Sequence, residues 1–317
     1  MIYFGHCTSQ IKKKQLTINL SKPEKTRKEI EESKNNTGNY PVNMLSAENE
    51  GYVGHIAHPG RSNHRIVLLT LDNQAEWGYQ YSPYSYYNEH SIFLSMNHGP
   101  MSVGTQAVKN LLNILDILPH YFVGSNVGLP IVGGLILSHD HYQGGRHTFP
   151  LDHAPSIYEF ELKDVDASIV KWPMSVIRLK DNSRDKLVEA ASVVIDAWRN
   201  YTNEDLNIRA VTGGTPHNAI TPLTRKDGDQ YVVDLVLRNN CTSDEYPDGI
   251  FHPHPEVHPI KKENIGLIEV LELAILPPRL KKELEEVRFY LVNQTGEVPS
   301  VHKDWVEEML ESGTEFT

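Results

Sequence analysis

The spacing of apolar and polar positions in the first part of the chain predicts strands on either side of a helix. Apolar runs at His64 to Leu71, Ser91 to Met96 and Leu129 to His141 predict three strands. Residues 105–119 instead repeat apolar side chains at helical spacing, at positions 108, 111, 112, 115 and 118, and Pro119 ends that stripe. The sequence therefore predicts a helix between the second and third strands.

The second part of the chain repeats this style of patterning. Its predicted elements are a strand from Ser168 to Leu179, a helix over 181–200, a short strand from Arg209 to Thr212, a hairpin from Ile220 to Arg238 that turns at Asp227-Gly228, and a helix over 262–276. Two comparable blocks of strands and helices predict an α+β fold of two halves. We expect the halves to span 14–160 and 161–300, followed by a charged helical tail over 301–317.

Composition narrows the class of protein without naming a function. The chain has 317 residues, of which 39% are hydrophobic and 22% are charged, as is usual for a soluble globular protein. The net charge of −11 disfavours a nucleic-acid partner, because such partners require a basic surface. Cys7 and Cys241 are too few and too far apart for a disulfide framework or a zinc ribbon. The longest apolar run, Leu129 to Leu137, is too short to span a bilayer, and the first residues lack the apolar core of a signal peptide, so we expect no membrane contact and a cytoplasmic location.

The run ILSHDHYQGGRH, residues 136–147, carries the densest candidate chemistry. In an extended strand His139, His141 and Gln143 project from one face, while Asp140 and Tyr142 project from the other. Two imidazoles on one face permit metal ligation or a nucleophile with a supporting partner. Glutamine is a poor metal ligand but a good donor to a phosphate oxygen, and no carboxylate shares the face, which favours the nucleophile. Hydrogen-bonded histidines at a strand end, without any such function, are the alternative interpretation.

The segment from Ser138 to Gly145, SHDHYQGG, resembles the active-site run of the class II (Firmicutes-type) galactose-1-phosphate uridylyltransferases, which belong to the histidine-triad superfamily. The likeness continues in chain order through INLSKPEK (18–25), QYSPYSYYNEH (80–90), PHYFVGSNVGLPIVGG (119–134), KWPMSVIRL (171–179), DLVLRNN (234–240) and HPIKKENIGLIEV (258–270). It implies two histidine-triad-like halves, with mostly antiparallel sheets flanked by helices. The half over 14–160 would be the catalytic one, and the protein would be a homodimer.

The resemblance implies a double displacement between UDP-glucose and galactose 1-phosphate. His141 would attack the α-phosphorus of UDP-glucose, His139 would support it, and Gln143 would donate to a phosphate oxygen. A neutral imidazole is a competent nucleophile near neutral pH. The candidate substrate-binding residues are Asn63, Arg65, Asn126, Ser138, Gly144, His217, Arg238 and Lys262.

Two departures from the family pattern bear on metal content and on activity. Relatives often carry a Cys-x-x-Cys pair that forms a zinc site with two histidines, whereas this chain has Asn43 and Ser46 there and keeps only His98 and His139. Two histidines without thiolates are a weak zinc set, so we expect no cofactor. The chain also starts near the point where the family's catalytic region begins, and we expect a shortened form. A non-catalytic UDP-sugar-binding remnant and a nucleotide phosphorylase with the same histidine chemistry are the alternatives.

Overall fold

The computed structural model describes residues 2–7, 14–20, 40–41, 43–55, 58–72, 74–134, 136–261 and 264–312. The chain divides into two compact units. The larger unit lies within residues 25–252 and 264–272, and the smaller unit lies within 1–24, 253–263 and 273–317.

The strands, in chain order, are β1 (Ile2–Cys7), β2 (Lys14–Asn19), β3 (Val67–Thr70), β4 (Glu76–Tyr81), β5 (Ser91–Ser95), β6 (Phe122–Gly124), β7 (His141–Gly145), β8 (Ser156–Leu162), β9 (Val165–Val170), β10 (Val176–Asp181), β11 (Val211–Thr212), β12 (Thr215–Pro216), β13 (Asn218–Asp227), β14 (Gln230–Asn239) and β15 (Leu273–Leu276). The α-helices are α1 (Thr105–Ile117), α2 (Arg184–Arg199), α3 (Leu267–Val270), α4 (Leu280–Asn293) and α5 (Lys303–Glu311).

A ten-stranded antiparallel sheet in the described part of the larger unit is built from two halves of the same design. The sheet order is β3-β4-β5-β7-β6-β13-β14-β10-β9-β8. Along the chain, each half supplies three strands of the sheet, then a helix, then two more strands of the sheet. Within the sheet, the fifth strand of each half lies between its third and fourth strands. The halves meet where β6 pairs with β13, at Gly124 and Leu223. The predicted α+β fold, with two related halves and mostly antiparallel sheets, is confirmed.

The helices α1 and α2 cover one face of this sheet and form the main hydrophobic core with it. The predicted stripe of α1 is fully buried at Val108, Leu111, Leu112 and Leu115. Burial of each such side chain contributes about 1.5–3 kcal/mol to the free energy of folding. The face of the sheet that packs against this stripe therefore becomes the core. The helix α2 begins after Ser183, whose side chain accepts a hydrogen bond from the Lys186 amide.

Three predicted elements are wrong, each because a proline, a glycine or a residue with positive φ interrupts the predicted strand or helix. The described residues 129–134 and 136–140 form no strand, and β7 begins only at His141. Pro130 lacks an amide proton for a ladder, and a Cβ on Gly133 would lie 2.4 Å from the carbonyl oxygens of Val127 and Leu129, so residues 129–133 form a tightly packed loop.

The other two errors have the same origin. The predicted strand from Ser168 to Leu179 is two antiparallel strands, β9 and β10, because the segment 171–175 contains Pro173 and turns. The predicted helix over 262–276 is described from residue 264 onward and contains only the short α3, followed by β15. Glu272, with φ of +64°, separates them, because a helix cannot pass through the left-handed region.

In the smaller unit β2 pairs antiparallel with β1 and parallel with β15. The helices α4 and α5 pack through Val287, Leu291 and Val306. Glu283 accepts a 2.8 Å hydrogen bond from the fully buried His302. Among the described residues, no helix combines the length and the apolar character needed to cross a bilayer.

Candidate active site

The strand β7 presents His141 and Gln143 on the face of the sheet opposite the helices. Tyr142, between them, points into the helix-covered core, where it stacks on Trp77 at 4.5 Å and accepts a 3.0 Å hydrogen bond from Asn110 of α1. Alternation along the strand then places His141 and Gln143 together on the other face, as predicted.

His141 is buried and has one defined tautomer. Its Nδ1 donates a 2.9 Å hydrogen bond to the carbonyl oxygen of His139, and since a carbonyl can only accept, Nδ1 carries the proton. The Nε2 atom of the neutral ring therefore keeps its lone pair. Burial lowers the pKa of His141 to about 4, so the ring stays neutral in neutral solution.

Strand geometry places only His141 and Gln143 on one face, and the predicted position of His139 on that face stays a prediction. Residue 139 lies before β7 begins, so strand alternation does not apply to it. Its Nε2 donates to the carbonyl oxygen of Ser95, at 2.9 Å, and its Nδ1 lies 3.2 Å from the amide nitrogen of Asn43. His139 contacts His141 through its backbone carbonyl, and its imidazole is held by Ser95 and Asn43.

Gln143 contacts His90, which is not among the residues predicted from the sequence. The Oε1 atom of Gln143 lies 3.3 Å from Nε2 of His90, and Nδ1 of His90 contacts the carbonyl oxygen of Tyr84. Burial lowers the pKa of His90 to about 4, so the ring is neutral and Nδ1 holds its proton for Tyr84. The lone pair on Nε2 then requires the amide nitrogen of Gln143 on its side. His90 ends the segment QYSPYSYYNEH, which was the available signal.

Arg238 lies on the same face of the sheet as Gln143. Strand register aligns Gln143, Gly124, Leu223 and Asp234 across neighbouring strands, and Arg238 follows Asp234 by four residues along β14. Arg238 is only 4% exposed, and its guanidinium donates to the carbonyl oxygen of Ile265 at 2.9 Å. Burial lowers the pKa of Arg238 to about 10, which leaves the group charged at neutral pH. Its described hydrogen bonds go to neutral acceptors, and the charge of Glu269 opposes the lowering of its pKa, so Arg238 is a candidate to bind an anionic ligand.

Three other candidates have contacts within the protein. The Oδ1 atom of the buried Asn126 accepts a 2.8 Å hydrogen bond from the Leu267 amide at the start of α3. Gly144 faces the core, where an added Cβ would lie 2.8 Å from the carbonyl oxygen of Phe122. His217 is half-buried and pairs through Nδ1 with Oδ1 of Asn240 at 2.8 Å. These contacts give each residue a packing role, and their predicted contact with substrate stays a prediction.

The remaining candidates lie at the surface or beyond the described residues. Asn63, Arg65 and Ser138 are exposed, and the Arg65 guanidinium donates to the carbonyl oxygens of its neighbours Ser62 and His64. Lys262 lies outside the described residues.

The strand β14 has the position in the second half of the sheet that β7 has in the first half. The face of the sheet that carries His141 and Gln143 on β7 carries Val232, Asp234, Val236 and Arg238 on β14, with no histidine. Asp234 is fully buried and forms a bidentate ion pair with Arg178, with N–O distances of 2.7 and 3.0 Å. Arg225 bridges Asp234 and Asp152 at 2.8 and 2.9 Å. Burial alone would raise the pKa of Asp234, but the two guanidinium groups hold it below its ordinary value. The second half is thus built around a structural ion-pair network.

The groups around His98 and His139 do not fit a zinc ion. An amide nitrogen, that of Asn43, lies between the Nδ1 atoms of the two histidines, at 3.4 and 3.2 Å. An amide NH₂ group donates hydrogen bonds and offers no lone pair to a metal. The Ser46 hydroxyl donates to the carbonyl oxygen of Asn43 at 3.1 Å, and a neutral hydroxyl is not among the usual zinc ligands. Within the described residues no three His, Cys, Asp or Glu side chains are grouped to hold a metal.

Comparison with known proteins identifies relatives for nearly the whole chain. Residues 114–307 match the family model for the C-terminal domain of galactose-1-phosphate uridyl transferase. A galactose-1-phosphate uridylyltransferase of Enterococcus faecalis is 55% identical over 302 residues, which cover 94% of this chain and 61% of the relative. One from Streptococcus mutans is 55% identical over 304 residues, covering 95% of this chain and 62% of the relative. The chain therefore spans less than two thirds of the length of these relatives. Among solved structures, yeast Ap4A phosphorylase aligns with a TM-score of 0.46 at 11% identity, over 91% of this chain and 84% of the other.

Proposed function

The chain belongs to the galactose-1-phosphate uridylyltransferase family, and we propose that it transfers UMP from UDP-glucose to galactose 1-phosphate through a uridylyl-histidine intermediate. The single observation that carries the proposal is the state of His141. Its ring is neutral, and its Nδ1 proton is held by the carbonyl of His139, so that Nε2 offers a lone pair. That is the state an imidazole nucleophile requires.

In the first step Nε2 of His141 forms a bond to the α-phosphorus of UDP-glucose. The bond from that phosphorus to the bridging oxygen breaks, and glucose 1-phosphate leaves with the electron pair. The ring of the uridylyl-histidine is then cationic, and the hydrogen bond from Nδ1 to the carbonyl of His139 becomes charge-assisted, which stabilises this state.

The second step restores the ring. A phosphate oxygen of galactose 1-phosphate attacks the uridylyl phosphorus, the bond from phosphorus to Nε2 breaks, and UDP-galactose forms. Gln143 donates an amide N–H to a non-bridging oxygen in both steps, where it stabilises developing negative charge. Arg238 supplies positive charge on the same face of the sheet for the phosphate groups.

Product analysis tests this function. Wild-type protein supplied with UDP-glucose and galactose 1-phosphate should form UDP-galactose and glucose 1-phosphate, with ping-pong kinetics. His141→Asn should lower turnover by roughly 10⁴ or more. Gln143→Ala should cost about 2–4 kcal/mol in the activation free energy.

Each of the two alternatives, a non-catalytic remnant and a phosphorylase, predicts its own result in this experiment. UDP-glucose binding without any turnover would support the non-catalytic remnant, and that outcome matters because the chain spans only 61–62% of its relatives. Product formation with inorganic phosphate but not with galactose 1-phosphate would support a phosphorylase.

The remaining expectations belong to the same proposal. We expect a homodimer that acts in the cytoplasm on small phosphorylated ligands, without a nucleic-acid partner and without a cofactor. The net charge of −11 supports the absence of a nucleic-acid partner. Sedimentation velocity at micromolar concentration should give one species of twice the chain mass.

A further inference from the structure

We propose that Asn43 is a positioning residue that replaces a metal ion. By this proposal its amide NH₂ group joins His98 to His139 and so fixes the backbone carbonyl that holds the His141 ring. The positioning role rests on the proposed function, because it concerns the nucleophile. The hydrogen-bonded junction of the three side chains is independent of the proposed function.

The orientation of the Asn43 amide is determined by its own loop. Its Oδ1 atom accepts a 3.0 Å hydrogen bond from the Leu45 amide, so the oxygen is on that side and the NH₂ group is directed at the two imidazoles. The backbone carbonyl of Asn43 accepts from the side chains of Asn49 and Ser46, at 2.7 and 3.1 Å. These hydrogen bonds hold Asn43 in one position against the histidines.

The tautomers of the two histidines match this orientation. Nε2 of His98 donates to Oε1 of Glu48 at 2.9 Å, and Nε2 of His139 donates to the carbonyl oxygen of Ser95 at 2.9 Å. In neutral rings both Nδ1 atoms therefore carry lone pairs. Two lone pairs face one NH₂ group with two protons, at 3.4 and 3.2 Å. Donors and acceptors are equal in number at this junction.

The same arrangement is what a metal would require of the two histidines. Outer hydrogen bonds to a carboxylate and to a backbone carbonyl are those that orient metal-ligating imidazoles. Here Asn43 occupies the position between the ring nitrogens, and zinc could bind there only after displacing it. The junction continues to the nucleophile, because the residue whose ring is held, His139, offers its carbonyl to Nδ1 of His141.

Four variants test the proposal. Asn43→Asp keeps the shape of the side chain but replaces two donors with an acceptor, and Asn43→Ala removes both donors. The double variant Asn43→Cys with Ser46→Cys supplies two thiolates beside His98 and His139, which together form a zinc ligand set. Asn97→Ala is the matched control, since Asn97 is an exposed asparagine next to His98.

We expect the wild-type protein, after incubation with zinc and dialysis, to hold no zinc at this junction. The double variant should bind about one zinc per chain. Two-bond ¹H–¹⁵N spectra of histidine-labelled wild-type protein should show His98 and His139 as Nε2–H tautomers with hydrogen-bonded Nδ1 atoms. In Asn43→Ala both Nδ1 signals should shift toward those of rings without a donor, and in Asn97→Ala they should not move.

In turnover, Asn43→Asp and Asn43→Ala should lower kcat about 10–100-fold with little change in KM, as loss of an orienting partner does elsewhere. Zinc should restore kcat in the double variant, whose metal-free form should be impaired. Asn97→Ala should match the wild type.

Stoichiometric zinc in the wild type that is lost on His98→Ala would overturn the replacement of a metal. Unchanged Nδ1 signals in Asn43→Ala would overturn the junction itself. An active wild type with an equally active Asn43→Ala would overturn the positioning role. An inactive wild type with the expected tautomers and zinc contents would contradict the proposed function and leave the junction intact, so the two failures are distinguishable.

Discussion

The chemistry of individual residues in the site depends on burial more than on residue type. His139, His141 and Gln143 could be named from the sequence because His-x-His-x-Gln is an uncommon pattern. Their partners could not, since His90 and Asn43 lie 53 and 96 residues away from the groups they contact. Alternation along the strand does not extend to His139, because β7 begins only at His141.

The first prediction at this scale concerns the pH dependence of His141. Because burial lowers its pKa to about 4, uridylylation by UDP-glucose should keep its rate as the pH falls from 7 to 5. Rapid-quench measurement of label incorporation checks this, with circular dichroism at each pH to establish that the protein is folded. An acidic limb centred near the ordinary histidine pKa of about 6.5 would contradict it.

The same depressed pKa values affect the stability of the fold. His141 and His90 have a pKa of about 4 in the folded protein and about 6.5 in the unfolded chain, so the unfolded chain binds more protons between these values. The stabilisation is complete above pH 6.5 and is lost as the pH falls toward 4, by about 1.4 kcal/mol per pH unit for each histidine. Urea titrations from pH 7 to pH 4.5 measure this loss, which the raised pKa of Asp140, about 6, partly offsets. A free energy of unfolding that rises as the pH falls would argue against the buried neutral rings.

A third residue-scale prediction concerns His90. His90→Phe keeps an aromatic ring against Tyr86 but removes the lone pair that orients Gln143. We expect kcat to fall about 10–100-fold with KM for UDP-glucose nearly unchanged, because a positioned donor acts mainly in the transition state. His153→Phe, at an exposed histidine, is the control. If His90→Phe raised KM alone, His90 would serve ground-state binding.

At the scale of elements, periodicity found the long helices α1 and α2 but only some of the strands. The apolar stripe of α1, the cap of α2 and the turn between β13 and β14 are local signals, and all three are present in the structure. The edge strand β8 is largely exposed and lacks an apolar run, so pairing with β9 decides its conformation. The apolar run from Leu129 to His141 was misassigned because burial alone does not distinguish a buried loop from a strand.

The ion-pair network of the second half should matter strongly to stability. Asp234→Asn removes the charge that neutralises Arg178 and Arg225 and leaves two buried guanidinium groups under-compensated. We expect the free energy of unfolding to fall by about 3–5 kcal/mol. Glu204→Gln, which breaks an exposed pair with Arg209, should cost less than about 1 kcal/mol. Chemical denaturation of both variants gives the comparison, and equal costs would refute the structural role of Asp234.

Gly144 provides a test of the packing between β5, β6 and β7. An added Cβ would lie 2.8 Å from a backbone oxygen, that of Phe122, and 2.9 Å from the ring of Phe93. We expect Gly144→Ala to destabilise the protein by about 1–3 kcal/mol. Gly99→Ala, where an added Cβ meets nothing within 4 Å, should be nearly neutral by thermal denaturation. If Gly144→Ala did not change the stability, the predicted contact of Gly144 with substrate would be the remaining role for this glycine.

At the scale of the whole molecule, two halves of one design have diverged in chemistry. The first half carries His141 and Gln143 on β7, whereas the face of β14 that corresponds to it carries no histidine among residues 230–239. The repeated order of elements was visible in the sequence as two blocks of patterning. The junction of β6 with β13 and the different chemistry of the two faces depend on long-range pairing, which no local pattern encodes.

The most direct test of this account is the mass and the position of a covalent label. Protein incubated with UDP-glucose alone should gain one uridylyl group per chain by intact-mass spectrometry and release one equivalent of glucose 1-phosphate. The label should map to the peptide that contains His141, should be lost in acid as phosphoramidates are, and should be absent from His141→Asn. A label on another residue, a labelled His141→Asn protein, or an unlabelled wild type that still binds UDP-glucose would contradict the account.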